Sequence, residues 1–569
     1  MASNATAAVA APTCPMAGCY LEEGEGVGIT FGLLVTFAII GGLAVPYIMW
    51  SMKGGGEGSK TAPDFWYSAR NSQGWPSIAL SICATSAGAW MLYTPGEAAI
   101  LGGWWGVFGY SIAMFLGPAV MCYLAPKFRD QLQDSGNITD WVGWRFGRVT
   151  QAYVTLVLIY YMFIYLVGQL KTMGDMTVMF YGKDPEWGIV PVALFTMVYT
   201  MVGGLPASLV TDWIQAVAIM LFVVVVVIII FSQATFTDDD WKQVSVGNDV
   251  GVDAFVALCF SIFGAEVFNL AFWQRIYASK DTKQLRIGFL VGASIISFLT
   301  LLFGIGGMVL KANDIRETRE GDGTQTFVPA FIFFEVLDMP DTTKGVRALI
   351  YILALCMITS CADSFQTAIT SVVSREVQRH ELSPAKSLLL GETLVVAVNI
   401  PAMFFAIHAA KDVNENFDGL AVKLTDLFGM ADILTITLVV PLFSGLWGFV
   451  TAKGAMAGML SGILFILIWG WVEFGTFMAG IENITLMCFG NSEVAPKGYS
   501  PYACGPWYAW RSAIMFSMIP IITGVFTFGV SYMERSYEMM TKIYAKLEAA
   551  EGKREDSPDN KPQIPAASE

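Results

Sequence analysis

Long apolar runs, separated by short polar stretches, set the rhythm of this chain. They fall near residues 28–51, 76–98, 103–125, 149–171, 187–203, 209–231, 253–272, 287–310, 347–374, 387–409, 424–449, 453–475 and 510–533. Crossing about 30 Å of hydrocarbon takes roughly 17–25 apolar residues in a helix, and every run is of that order. The pattern predicts an all-α polytopic membrane protein with about 13 transmembrane helices. It also divides the chain. Residues 1–27 form an N-terminal tail, 28–533 a transmembrane domain, and 534–569 a charged tail. That tail ends rich in Pro, Ser and Asp and is expected to be largely disordered.

Several runs are interrupted by polar or small residues. The stretch Tyr199–Gln215 reads YTMVGGLPASLVTDWIQ, where Gly203, Gly204 and Pro206 predict a very short hairpin between two spans. Just beyond it, Asp212 and Gln215 share one helix face. A carboxylate costs about 2.5–3.5 kcal/mol at the membrane centre, so Asp212 should face protein or water. An acid favoured by the helix dipole is the plainer reading. In the second run, Ala84–Trp90 reads ATSAGAW. Its small residues suit close helix packing, or an unwound segment that offers carbonyls to a cation. Run 149–171 carries Tyr160, Tyr161, Tyr165 and Gln169, as an interfacial belt or the lining of a path.

Run 253–272 holds Gly264, Glu266 and Asn269 and closes with Trp273, Gln274 and Arg275. A membrane-embedded Glu is a candidate functional group, with a structural hydrogen-bonding role as the alternative. Run 347–374 is the most polar. Ser360, Asp363, Ser364 and Thr367 follow helical spacing and form one stripe, which must face protein or water. Further on, Asp426 and Asp432 bracket Gly429.

Composition narrows the function. Charged residues make up 14% of the 569, against about 25% in soluble domains. The net charge of −14 is spread over loops and tails and does not point to nucleic acid. Two histidines, His380 and His408, leave little room for a catalytic metal, and no enzyme is expected. The larger share of the 33 Lys and Arg residues falls on one side of the membrane if the N-terminus is outside and the C-terminus cytosolic. Residues 1–28 lack the basic segment and apolar core of a cleaved leader, so the first span should direct insertion. Cys14, Cys19, Cys488 and Cys504 then lie outside, with Cys488 and Cys504 the preferred disulfide pair.

The Tyr199–Gln215 stretch resembles the signature of the sodium:solute symporter family, through Tyr199, Thr200, Gly203, Gly204, Leu205, Thr211, Asp212 and Gln215. Asp64–Arg70, Thr139–Trp141, Trp273–Arg275 and Ser360–Ser364 resemble further family segments in the same order. The resemblance implies a five-plus-five inverted-repeat core at about 76–449, with the first helix of each half broken at a midplane site. It also implies sodium as the coupling ion and no other cofactor. Sodium would be held by carbonyls of Ala84, Ala87 and Met357 and by Ser360, with Cys361 standing where the family generally has a second hydroxyl. Asp212, Asp363 and Ser364 would form a second cation site or exit route. Trp90, Tyr161, Gln169, Glu266 and Asn269 would face the solute.

The expected activity is plasma-membrane uptake of a small polar solute, such as proline or another amino acid, or urea, by sodium symport with alternating access. Cys361 keeps two alternatives open, a proton-coupled symporter and a passive facilitator or channel. The partners implied are the solute, sodium and the bilayer. The sequence carries no sign of oligomeric state.

Overall fold

A computed structural model of the protein describes residues 19–54, 66–133, 135–320, 329–339, 342–378, 383–411, 424–474 and 510–555. Cys488 and Cys504 lie outside these residues, and Cys19 is disulfide-bonded. The described chain is helical. Eleven helices are long and apolar enough to cross a bilayer, or 12 if the bent pair Trp75–Ser86 and Trp90–Gly102 is one span. In order the helices are α1 (Glu23–Gly54), α2 (Trp75–Ser86), α3 (Thr94–Gly102), α4 (Trp104–Gln131), α5 (Ile138–Phe146) and α6 (Arg148–Tyr181). Then come α7 (Glu186–Gln233), α8 (Asp238–Ser245), α9 (Asp249–Phe268), α10 (Leu270–Ala278) and α11 (Thr282–Glu320). The series ends with α12 (Lys344–Gln378), α13 (Pro384–Lys411), α14 (Leu424–Ser444), α15 (Ala452–Phe474) and α16 (Trp510–Glu555).

At 48 residues α7 would reach roughly 72 Å if straight, more than twice the hydrocarbon thickness. Its continuity fails at Gly204, which has φ 56° and ψ −150°. Divided there it supplies two passes, and the passes then match the apolar runs of the sequence. The expected hairpin shrinks to this one residue. Pro206 falls in the first turn after the break, where its missing N–H leaves no helical bond unmade. On the second half of α7, Val223, Val226 and Ile230 are buried, whereas Val224, Val225, Ile228 and Phe231 face outward. The very apolar run therefore has one side for protein and one for lipid.

Two further breaks fall in the helices expected to open each half of the core. α2 stops at Ser86, Gly88 is extended, and a 3₁₀ turn over Ala89–Leu92 leads into α3. Gly88 allows the close approach of Gln169, whose amide nitrogen would lie 2.6 Å from an added Cβ. Pro95 sits at the start of α3, where it is tolerated. α9 stops at Phe268, and Asn269 (φ −57°, ψ 108°) turns the chain into α10. The Asn269 side chain accepts from the backbone N–H of Ala271 at 3.0 Å, capping the new helix.

α12 packs against α6, α7 and α13, so its whole polar stripe is enclosed by protein. α4 packs against α9 and α11, and α15 pairs with α16 near the chain's end. The helix α16 continues to Glu555, well past the expected end of the span at 533. Residues 534–549 contain Glu, Lys, Ala, Met and Tyr but neither Gly nor Pro, so strong helix formers carry it onward.

The backbone at Gly204 admits almost only glycine, and an added Cβ would lie 2.5 Å from the Trp66 carbonyl oxygen. Gly204→Ala should cost about 1–3 kcal/mol or more and lower the apparent melting temperature of the purified protein by several degrees. Gly529→Ala, inside α16 where an added Cβ meets nothing within 4 Å, is the matched control and should leave melting unchanged or slightly raised. Equal melting of both variants would remove the strain assigned to Gly204.

Candidate functional site

The break after α2 lies against the polar stripe of α12. Here the Cys361 thiol donates to the Thr85 carbonyl at 3.0 Å and to the Ala84 carbonyl at 3.6 Å. Across the same contact, the hydroxyls of Thr85 and Ser364 are 3.1 Å apart. Ala87 and Met357 are both fully buried on these two elements. Ser360 takes a different direction: its hydroxyl donates to Asp212 Oδ1 at 3.1 Å. Cys361, rather than Ser360, is thus the α12 side chain that meets the Ala84 carbonyl.

Asp212 anchors a fully buried charge cluster. Its Oδ2 accepts from Ser81 at 2.5 Å and from Arg275 Nη2 at 2.9 Å, and neither charged side chain is exposed. The Arg275 guanidinium also donates to Ser81 Oγ at 2.8 Å and Ser364 Oγ at 2.9 Å. Four elements meet here: α2, α7, α10 and α12. Asp212 lies well inside the second half of α7 and is not an N-terminal capping acid. One helical turn along the stripe, Asp363 Oδ2 accepts from Tyr199 at 2.8 Å and Thr211 at 3.2 Å, and Oδ1 from Ser208 at 3.3 Å. Gln215 donates to Thr359 at 3.0 Å. Among the described side chains hydrogen-bonded into this cluster, two carboxylates face one guanidinium.

On the other side of the broken segment lies a cavity. Trp90, Thr94, Tyr110, Met114, Tyr165, Ala257, Leu258, Ser261, Ile262, Glu266, Phe428, Gly429, Asp432 and Phe516 line it. Trp90 stacks on Tyr110 with ring centres 5.3 Å apart, and its indole N–H donates to the Ser86 carbonyl at 2.9 Å. Tyr165 packs on Phe428 at 4.4 Å and donates to Asp432 Oδ1 at 2.8 Å. Ser261 donates to Asp432 Oδ2 at 2.6 Å. Glu266 is 6% exposed, and its Oε2 has no hydrogen-bond partner.

Of the residues singled out from sequence for the solute, Trp90 and Glu266 line this cavity. Tyr161 is buried behind it with its ring 4.6 Å from that of Tyr165, Gln169 abuts Gly88, and Asn269 caps α10. Sequence reasoning missed Arg275 as a cluster member, because at the end of an apolar run it reads as an interfacial basic residue. It also missed Ser81, four residues before Thr85 on one face of α2, and the pairing of Asp432 with Ser261. The side chain of Asp426 is outside the described residues.

Comparison with known proteins agrees with this architecture. The spermidine transporter DUR31 of Candida albicans is 23% identical over 446 residues, 76% of this chain and 80% of that protein. The sodium/proline symporter of Escherichia coli is 23% identical over 506 residues, covering 83% of this chain and 95% of its own. A substrate-bound, outward-open sodium-coupled sialic acid symporter shares the fold at a TM-score of 0.66 and 15% identity, over 90% of this chain and 98% of that one. The family model described as the sodium:solute symporter family matches residues 66–462. The chain is an integral membrane transporter and not an enzyme, and it belongs to the sodium:solute symporter family.

Proposed function

We propose that the protein accumulates a small organic solute by coupling its uptake to the inward sodium gradient. One observation carries this reading: an oxygen-rich, carboxylate-bearing cluster lies where broken α2 meets the polar stripe of α12, beside a cavity lined by acids and aromatic rings. Sodium is a hard cation that prefers oxygen ligands. Carbonyls of Ala84, Ala87 and Met357 with the Ser360 hydroxyl would hold it, and Cys361, a soft thiol, would contribute weakly. Asp212, Asp363 and Ser364 would take a second cation or line its exit toward the cytosol.

Coupling follows from position. The cation residues of α2 end at Ala87, and Trp90, three residues on, already lines the cavity. A cation that fixes α2 against α12 also fixes the 3₁₀ turn that shapes the solute side. Each ligand then raises the affinity for the other by the same factor. Alternating access would move the broken helices relative to the remaining scaffold. Tyr161, Gln169 and Asn269 would support the cavity from behind. Proline, other amino acids and urea are the solutes to test against this cavity. The excess of Lys and Arg on one side supports an external N-terminus and a cytosolic C-terminus in the plasma membrane. An N-terminal epitope read by antibody in intact cells checks that orientation; staining only after permeabilisation would reverse it.

Replacing the thiol by a hydroxyl restores a hard ligand. Cys361→Ser should therefore lower the sodium concentration for half-maximal uptake several-fold, whereas Ser360→Ala should nearly abolish uptake. Uptake indifferent to sodium in both wild type and Cys361→Ser, yet collapsed by a protonophore, would hand the coupling to protons. Asp212→Asn leaves Arg275 buried without its charge partner, which costs about 3–5 kcal/mol in comparable pairs. Its uptake should fall more than tenfold per molecule at the cell surface. Asp212→Glu should recover part of it. Normal uptake and sodium dependence in Asp212→Asn would limit that acid to a structural role.

A further inference from the structure

We infer that the cavity beside the broken α2–α3 segment selects an organic cation, a protonated aliphatic amine, and rejects zwitterions and neutral amides. The inference rests on the symport reading and adds the charge of the solute to it.

The argument begins with the charges that face the cavity. Glu266 from α9 and Asp432 from α14 both line it, and no Lys, Arg or His does so among the described residues. Two carboxylates enclosed together repel one another, and each loses hydration that must be replaced. Asp432 is supplied with donors, Tyr165 on one oxygen and Ser261 on the other, which suits an ionised acceptor. Glu266 is not so supplied. Its Oε2 is buried without a partner, although nine-tenths or more of the side chain is out of contact with solvent. A buried acceptor left unmade is costly, so the free oxygen, with the equally unpaired Ser86 hydroxyl beside it, can accept a donor from a bound solute.

Aromatic surfaces complete the description. The stacked Trp90–Tyr110 pair and the Tyr165–Phe428 pair form much of the remaining wall. Ring faces attract an ammonium group and accept the methylene stem of an alkylamine equally well. An α-amino acid brings its own carboxylate into this setting, where it would meet two like charges and no base. Urea brings no charge, so it would leave both carboxylates uncompensated. A protonated amine places positive charge beside the carboxylates and against the aromatic faces at once.

The experiment uses purified full-length protein in sealed proteoliposomes with an imposed inward sodium gradient. Radiolabelled spermidine, proline and urea are the probes, each with and without the gradient. The expected result is sodium-driven accumulation of spermidine with none of proline or urea. Glu266→Gln and Asp432→Asn should each reduce spermidine uptake at least tenfold at unchanged melting temperature, and equilibrium binding of labelled spermidine should fall in parallel. Sodium-driven accumulation of proline or urea without spermidine would overturn the inference and leave sodium symport standing. Spermidine binding that depends on Glu266, with uptake indifferent to sodium, would support the cationic site and overturn the symport reading. Spermidine binding unchanged in both carboxylate variants would overturn the inference outright.

Discussion

The structure depends on one buried ion pair. Asp212 and Arg275 meet at 2.9 Å with neither side chain exposed. Taking two such charges out of water costs several kcal/mol each, and their mutual attraction offsets this only where the remaining hydrogen-bonding capacity is filled. Here Ser81, Ser360 and Ser364 fill it, and they come from α2 and α12, whereas the charges come from α7 and α10. Displacing any one of the four elements strands a charge or a hydroxyl in a dry interior. The pair is a weak source of net stability but a strong constraint on which arrangement of these helices is permitted.

That constraint explains why the two broken helices carry chemistry rather than simple defects. The break after Ser86 separates Ser81 and Thr85, which bond into the charge cluster, from Trp90 and Thr94, which line the cavity. The break at Asn269 similarly separates Glu266, in the cavity, from Arg275, in the charge cluster. Each break therefore links the same two sites by a few residues of non-helical chain. Irregular backbone is tolerated at membrane depth only inside protein or along a cavity, and both breaks satisfy this. The cavity combines two acids with aromatic walls, and the cluster combines two acids with one guanidinium.

Much of this was legible in the sequence because the bilayer imposes its own periodicity. Apolar runs located the spans, and the polar stripe of Ser360, Asp363, Ser364 and Thr367 could only face inward. Gly204 was visible as a breaker, although its one-residue geometry was not, since Pro206 reads as loop until the first turn after the break is known to accept it. What the sequence concealed was partnership across large separations. Asp212 reads only as an acid that must face protein or water, or cap a helix, until Arg275, 63 residues later, is placed on it. Ser261 and Asp432, 171 residues apart, share no pattern that links them before folding. Cys361 read as a lost sodium ligand; its contact with the Ala84 and Thr85 carbonyls appears only when α2 is broken and laid against α12.

The central claim is that the cluster between α2 and α12 holds the coupling cation. Equilibrium binding of radioactive sodium to the purified protein, without any solute, tests it most directly. The account predicts saturable sodium binding that potassium does not displace, lost in Ser360→Ala and tightened in Cys361→Ser. Absence of saturable binding in the wild type, or binding identical in all three proteins, would contradict it.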